Sequence, residues 1–343
     1  MKRPWLLPLV PLWAAGAAWK NRAFDRGSAK VEQLELPVIS VGSLSAGGAG
    51  KTPFVIALGE ALRRAGIGFD VLSRGYGRTV DAQAAKRVVG TGSADEFGDE
   101  PLMIARRLGR RVYVAAERAA AGRMAEREHR AQREMGPWVH LLDDGFQHRR
   151  LARAVDIVLL THADVQDALV PAGDLREPLR SLQRADVVVL RKDEAAALRP
   201  VVERVVASGK KEPLVWEMAR VFHFVEGVPA SSPLAFCGIA RPDAFLQSLR
   251  LSGVEPASFV ALKDHQRYDD GVVQRLVQAA ESVKANGFVT TAKDAVKLSQ
   301  AMRTVLQRVG PVAVGDIEVS ICDEARFISA LMQLLSKDSS FSS

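Results

Sequence analysis

Short apolar runs alternate with helical patterns along most of this chain. Val38-Ile39-Ser40-Val41 is a β-branched run, and comparable runs follow at Phe69 to Leu72, Val112 to Ala115, Val139 to Leu142, Ile157 to Leu160 and Val187 to Leu190. Their apolar character is nearly continuous, as strands covered on both faces require. After the first run, Phe54, Val55, Leu58 and Leu62 fall on one helical face and Gly66 closes the segment. Strands alternating with helices predict an α/β fold, a doubly wound parallel sheet. The pattern changes near Pro213. Leu214 to Met218 and Val221 to Val225 read as a strand pair leading into a second, smaller α/β domain. That domain has strands near Leu234 to Gly238, Ser258 to Leu262 and Phe288 to Thr291, and it closes on a helix from Glu324 to Leu335. The expected division is residues 1–30, an N-terminal membrane-associated segment; 31–220, the core; 221–335, the smaller domain; and 336–343, a disordered tail. No internal repeat is found.

The N-terminus departs from this pattern. Trp5 to Trp19 carries no charge, holds three of the five tryptophans, and is flanked by Lys2 and Arg3 before and Lys20 and Arg22 after. Tryptophan and cationic side chains at both ends favour a membrane interface. Fifteen residues interrupted by Pro8 and Pro11 are too short for a comfortable membrane span. A cleaved signal peptide and a buried core helix are the competing readings.

Composition adds bounds rather than a function. With 48% hydrophobic and 25% charged residues the chain is globular. A formal charge of +7 tolerates any anionic partner. Cys237 and Cys322 lack metal-ligand spacing, which fits a reducing compartment and no zinc site.

The strongest motif joins a predicted strand to a predicted helix: Ser45, Ala46, Gly47, Gly48, Ala49, Gly50, Lys51, Thr52. Glycines let backbone N–H groups converge on phosphate oxygens, Lys51 reaches the β and γ phosphates, and the Thr52 hydroxyl can hold Mg²⁺. The helix N-terminus adds partial positive charge. Ser45 stands where this phosphate loop (P-loop) usually begins with glycine. The loop resembles that of the MinD-like NTPases, except that the lysine expected before Gly47 is Ala46. Next, the run from Trp138 delivers Asp143 and Asp144 at its C-terminal end, where P-loop enzymes place a Mg²⁺-linked aspartate, although Asp-Asp-Gly is also a common turn.

Other segments leave two readings open. Asp99, in Gly98-Asp99-Glu100-Pro101, serves either as a helix cap or as a base. Arg74, Tyr76 and Arg78 lie in a glycine turn that also has the means to grip an anion. The loop of Arg176, the Lys263-Asp264-His265-Gln266 segment and the turn bearing Lys293 pose the same question.

In series, VGSLSAGGAGKTP, SRGYGR, GDEP, DDGFQH, VPAGDLREP, FCGIARP, DHQ and TAKDAVK make the chain resemble the tetraacyldisaccharide 4'-kinase family from Trp5 to about Lys297. The family usually has asparagine at the position of Ser43. The resemblance implies a P-loop NTPase-like kinase at the cytoplasmic face of the bacterial inner membrane. It would phosphorylate the 4'-hydroxyl of a lipid A disaccharide 1-phosphate precursor with ATP and Mg²⁺. It implies that Lys51 and Thr52 serve nucleotide and metal, with Asp143 or Asp144 as the Mg²⁺-linked carboxylate. Asp99 would be the base, aided by His265, and the substrate side would draw on Arg74, Tyr76, Arg78, His148, Arg176 and Lys293. The Trp5 to Trp19 segment would lie on the phospholipid surface. A monomer with no nucleic-acid partner is expected. The rival class is a MinD-type regulatory ATPase, against which Ala46 and the second domain count; a soluble small-metabolite kinase would leave Trp5 to Trp19 unexplained.

Overall fold

The structure, a computed structural model, describes residues 3–79, 84–209, 211–264 and 266–337. Twelve strands form one sheet: β1 Val38–Ser43, β2 Gly68–Ser73, β3 Lys86–Arg87, β4 Val112–Val114, β5 Trp138–Asp143, β6 Val155–Leu160, β7 Val187–Arg191, β8 Leu214–Glu226, β9 Leu234–Cys237, β10 Ser258–Ala261, β11 Phe288–Thr291 and β12 Val312–Ile321. Their spatial order is β10-β9-β11-β12-β8-β7-β6-β1-β5-β2-β4-β3. All pairings are parallel except β3 with β4 and β8 with β12. The sheet is therefore two parallel blocks joined through the antiparallel β8–β12 pair.

Among the described residues, twelve α-helices accompany the strands. In the first part of the chain they are α1 Val10–Asp25, α2 Lys51–Arg64, α3 Ala94–Phe97, α4 Asp99–Leu108, α5 Arg118–Ala131, α6 His162–Gln166 and α7 Ala195–Val206. α8 Pro242–Leu251, α9 Asp270–Ser282, α10 Ala292–Ala295, α11 Gln300–Gln307 and α12 Glu324–Ser336 follow. The face expected of α2 is the one it buries: Phe54, Val55, Leu58 and Leu62 are all inaccessible, and the helix ends just before Gly66, whose φ of +74° suits a left-handed stop. Side chains of this kind contribute roughly 1.5–3 kcal/mol each when fully buried.

Three readings of the sequence are corrected. Leu214 to Met218 and Val221 to Val225 are one strand, because no turn former interrupts Ala219-Arg220; the antiparallel partner of β8 is β12, far along the chain. The boundary drawn between residues 220 and 221 falls inside β8. The last helix does not close the second block. Phe327, Ile328, Leu331 and Leu335 of α12 join the core of the first, Phe327 meets Phe54 edge to face at 6.4 Å, and Arg64 holds Glu324 at 2.8 and 2.6 Å. Of the expected tail, Ser336 is the last residue of α12, and 338–343 lie outside the described residues.

The N-terminal segment is a 3₁₀ turn, Pro4–Leu9, followed by α1, and neither has a buried residue. The buried-helix reading is thereby overturned. Trp5, Leu12 and Trp19 are more than two-thirds exposed. No described helix is long and apolar enough to cross a membrane.

Candidate active site

A cavity of about 1260 Å³ opens between the two blocks and receives the C-terminal ends of strands from both. The segments after β1, β2 and β5 supply Gly47, Gly48, Gly50, Arg74 and Asp144; those after β9, β10 and β11 supply Ala240, Arg241, Asp264 and Lys293. α1 contributes Leu12, Trp13, Gly16 and Ala17 to its mouth.

The phosphate loop is braced from its neighbour. Ser45 bridges Leu175, the Ala46 N–H donates to the Asp174 carbonyl at 3.0 Å, and the Arg176 N–H donates to the Leu44 carbonyl at 2.8 Å. Gly48 and Gly50 have φ of +77° and +87°, which favours glycine, and Gly50 is the N-cap of α2. Ala49, Ser45 and Thr52 are buried. At the departure from the family pattern, the Ser43 hydroxyl donates to the Ser45 carbonyl at 2.8 Å and accepts from Lys51 Nζ at 3.1 Å.

The two aspartates after β5 differ sharply. Asp144 stands between Lys51 Nζ at 3.4 Å and Arg176 Nη1 at 2.8 Å. Burial opposes its charge, but the two cations outweigh it and hold its carboxyl below the usual range. Asp143 accepts from Ser73 Oγ at 3.2 Å, while its Oδ1 is buried with no hydrogen-bond partner among the described residues. Burial first, then the charges of Glu100 and Asp144, push its carboxyl up to about 7. A cation would relieve that deficit. No described group of three or more acidic, His or Cys side chains forms a metal cage, but Mg²⁺ in nucleotide sites rests on one or two protein ligands plus phosphate oxygens. Thr52 and Asp143 fit that requirement.

Asp99 begins α4 but does not cap it: Gly98 is the N-cap, and Asp99 Oδ1 accepts from its neighbour's N–H, Glu100 N, at 3.0 Å. Asp99 is buried, with Lys297 Nζ at 3.5 Å and Lys293 Nζ at 3.9 Å from Oδ2. It does not itself line the cavity; Glu100, Lys293 and Asp264 do, and Lys293 is 3.2 Å from Glu100. Burial works against the charge of Lys293, but Glu100, Asp99 and Asp264 outweigh it and push the ammonium up to about 12. His265 lies outside the described residues.

Of the remaining expected residues, Arg74, Tyr76, His148 and Arg176 line the cavity. Burial and the cations Arg118, Arg153, Lys20 and Arg150 pull His148 down to about 4, so it is neutral at neutral pH. Arg78 is a correction. It is buried away from the cavity, where its guanidinium donates to the carbonyls of Val114 and Ala84 and ties down its own loop.

Sequence reasoning saw Glu100 only as part of an acidic pair with Asp99 that could supply a base, and it missed Lys297 and Arg118. Arg118 opens α5, lines the cavity and is buried; burial and then Arg74 pull its guanidinium down to about 10, against Asp144 and Asp143. The available signal was position, since it follows the C-terminal end of β4 as the other site residues follow their strands.

The chain matches the family described as tetraacyldisaccharide-1-P 4'-kinase over residues 2–336. A tetraacyldisaccharide 4'-kinase of Koribacter versatilis is 39% identical over 338 residues, covering 96% of this chain and 98% of that one. One of Geobacter metallireducens is 37% identical, with 94% and 95% covered. The crystal structure of LpxK from Aquifex aeolicus in complex with ATP superposes with a TM-score of 0.71 at 29% identity, covering 96% and 98% of the two chains.

Proposed function

The chain belongs to the tetraacyldisaccharide-1-phosphate 4'-kinase family, and from that premise we infer how its cleft works. The protein is an ATP-dependent kinase that phosphorylates the 4'-hydroxyl of a lipid A disaccharide 1-phosphate precursor. The observation that carries the reading is the meeting, in one cavity, of a phosphate loop from the first block with the Lys293 and Asp264 loops of the second.

The loop from Ser45 to Thr52 receives the triphosphate, with backbone N–H groups of the glycines on its oxygens and Lys51 on the β and γ phosphates. To do so Lys51 exchanges Asp144 for phosphate, and Arg176 keeps Asp144 in place. Thr52 and Asp143 are the residues that would hold Mg²⁺, which would supply positive charge to offset that of the phosphates. Arg74 and Arg118 border the same space and add positive charge where the transferred group becomes more anionic.

The acceptor approaches from the Lys293 side. Asp99 takes the proton of the 4'-hydroxyl, aided by His265. Because Lys293 and Lys297 pair with Asp99, and Glu100 and Lys293 rather than Asp99 line the cavity, the two lysine pairings must loosen as substrate binds and the blocks close. Glu100 is the second candidate for the base, since it already lines the cavity. The exposed apolar α1 lies in the cytoplasmic interface of the inner membrane and delivers the acylated acceptor to the cavity mouth.

The test is incubation of the purified protein with γ-labelled ATP, Mg²⁺ and the glycolipid 1-phosphate in detergent. A labelled bisphosphate product whose new ester is located at the 4' position is expected. ATP hydrolysis with no labelled lipid would overturn the reading in favour of a regulatory ATPase.

A further inference from the structure

One wall of the cavity holds positive charge that the mechanism above leaves unused. By strand alternation Met218, Arg220 and Phe222 of β8 point to one face, and the register pairs Met218 with Arg191 of β7. That face borders the phosphate loop: a Cβ on Gly50 would sit 3.8 Å from Met218 Cε. Arg191, Arg220 and Phe222 all line the cavity. Arg241, the N-cap residue of α8, approaches from the second block; a Cβ on Gly48 would run into its Nε and Cδ, so its stem lies on the phosphate loop.

The three guanidinium groups are not equally occupied. Arg191 is taken by Asp193 and by Glu194 at 3.1 Å. Arg241 has Asp164 only at 3.8 Å. The Arg220 side chain makes no hydrogen bond or ion pair among the described residues, and its Nε is buried without a partner. A half-buried charge left this way is costly unless a ligand completes it. Burial, then the like charges of Arg191 and Arg241, pull its guanidinium below the usual arginine range, against the weaker help of Asp193 and Glu194.

We propose that Arg220 and Arg241 form a phosphate-binding subsite on the β8–α8 wall of the cleft, and that its occupant is a phosphate of the bound nucleotide. Guanidinium forks match phosphate oxygens in geometry and charge. The glycolipid also carries a phosphate, but the contact of Arg241 with Gly48 and of Met218 with Gly50 places this wall beside the nucleotide. The subsite spans both blocks, since Arg220 sits on the joining strand and Arg241 beyond it, so nucleotide binding would draw them together.

This inference rests on the kinase reading, and its test does not depend on turnover. ATP, ADP, AMP and adenosine are titrated calorimetrically, without acceptor, into wild type, Arg220→Gln, Arg220→Lys and Arg241→Gln, with thermal midpoints of the ligand-free proteins recorded. In Arg220→Gln we expect an undiminished midpoint, an ATP dissociation constant at least about tenfold higher, unchanged adenosine binding, and partial recovery with lysine. Arg241→Gln, altering a side chain one-third exposed, should fold in any case and show the same nucleotide pattern. KM for the glycolipid is measured in parallel. A rise there with ATP binding intact would overturn the nucleotide assignment in favour of the glycolipid phosphate. Normal ATP and glycolipid affinities in both glutamine variants would overturn the subsite altogether. The wild type's own transfer of label in the same preparation tests the kinase reading separately.

Discussion

The two ends of the cleft are charged in opposite ways. Around the phosphate loop, Lys51, Arg176, Arg74 and Arg118 face only Asp144 and Asp143, so cations are in excess. At the other end Lys293 and Lys297 face Asp99, Glu100, Asp264 and Asp294, so carboxylates are in excess. A cation-rich pocket is suited to a polyanion and a carboxylate-rich one to an uncharged hydroxyl that must lose a proton. The asymmetry suits one end of the cavity to a triphosphate and the other to a sugar alcohol.

Removing charge from either end should break this division unequally. The largest loss is expected from Lys51→Ala, which removes a phosphate clamp worth several kcal/mol; turnover should fall by about 10³-fold or more, and steady-state assays reveal it. Near-normal turnover would remove the phosphate-loop role. Asp143→Asn should weaken Mg²⁺ dependence of turnover more than ATP binding without metal, by about 10- to 100-fold, measured by titrating Mg²⁺ at fixed ATP.

His148 sharpens the comparison from the stability side. Its folded-state value is depressed from 6.5 to about 4, so between those values the unfolded chain binds more protons than the folded one. Ligand-free protein should therefore lose stability as pH falls from about 6.5 to about 4, and His148→Gln should flatten that part of the profile. Thermal midpoints across the range check it; identical slopes would show that His148 is not held neutral. The smallest effect on nucleotide chemistry should come from deleting residues 1–19: ATP affinity unchanged, with the protein shifted from vesicle-bound to free in flotation assays. An unfolded product would instead make α1 part of the core.

Much of the nucleotide end was legible in the sequence because its parts are local. A strand, a glycine turn, Lys51 and Thr52 lie within fifteen residues, and Asp143 and Asp144 end the apolar run of β5. The acceptor end was hidden because it is assembled by tertiary folding. Lys297 meets Asp99 from almost two hundred residues away, and Glu100 reads as ordinary helix-start chemistry until its exposure to the cavity is known. Arg118 was concealed among twelve arginines between Ala105 and Arg153, several of which belong to surface ion pairs such as Arg130 with Glu35. β12 escaped notice because Gly315, Asp316 and Glu318 interrupt its apolar pattern, and its pairing with β8 is a long-range event. Arg78 shows the converse: a motif arginine with ligand-like chemistry that the fold uses to pin a loop.

The central claim is that the carboxylate-rich end supplies the base and that Asp99 is that base. Transfer of label from ATP to the glycolipid should be measured for wild type, Asp99→Asn, Glu100→Gln, His265→Ala and the Asp99–His265 pair, with ATP affinity recorded for each. The account predicts that Asp99→Asn lowers turnover about 10²- to 10⁴-fold at unchanged ATP affinity, that Glu100→Gln costs much less, and that the double variant is about as poor as its worse single one. Unimpaired transfer in Asp99→Asn, or a larger loss in Glu100→Gln, would contradict it.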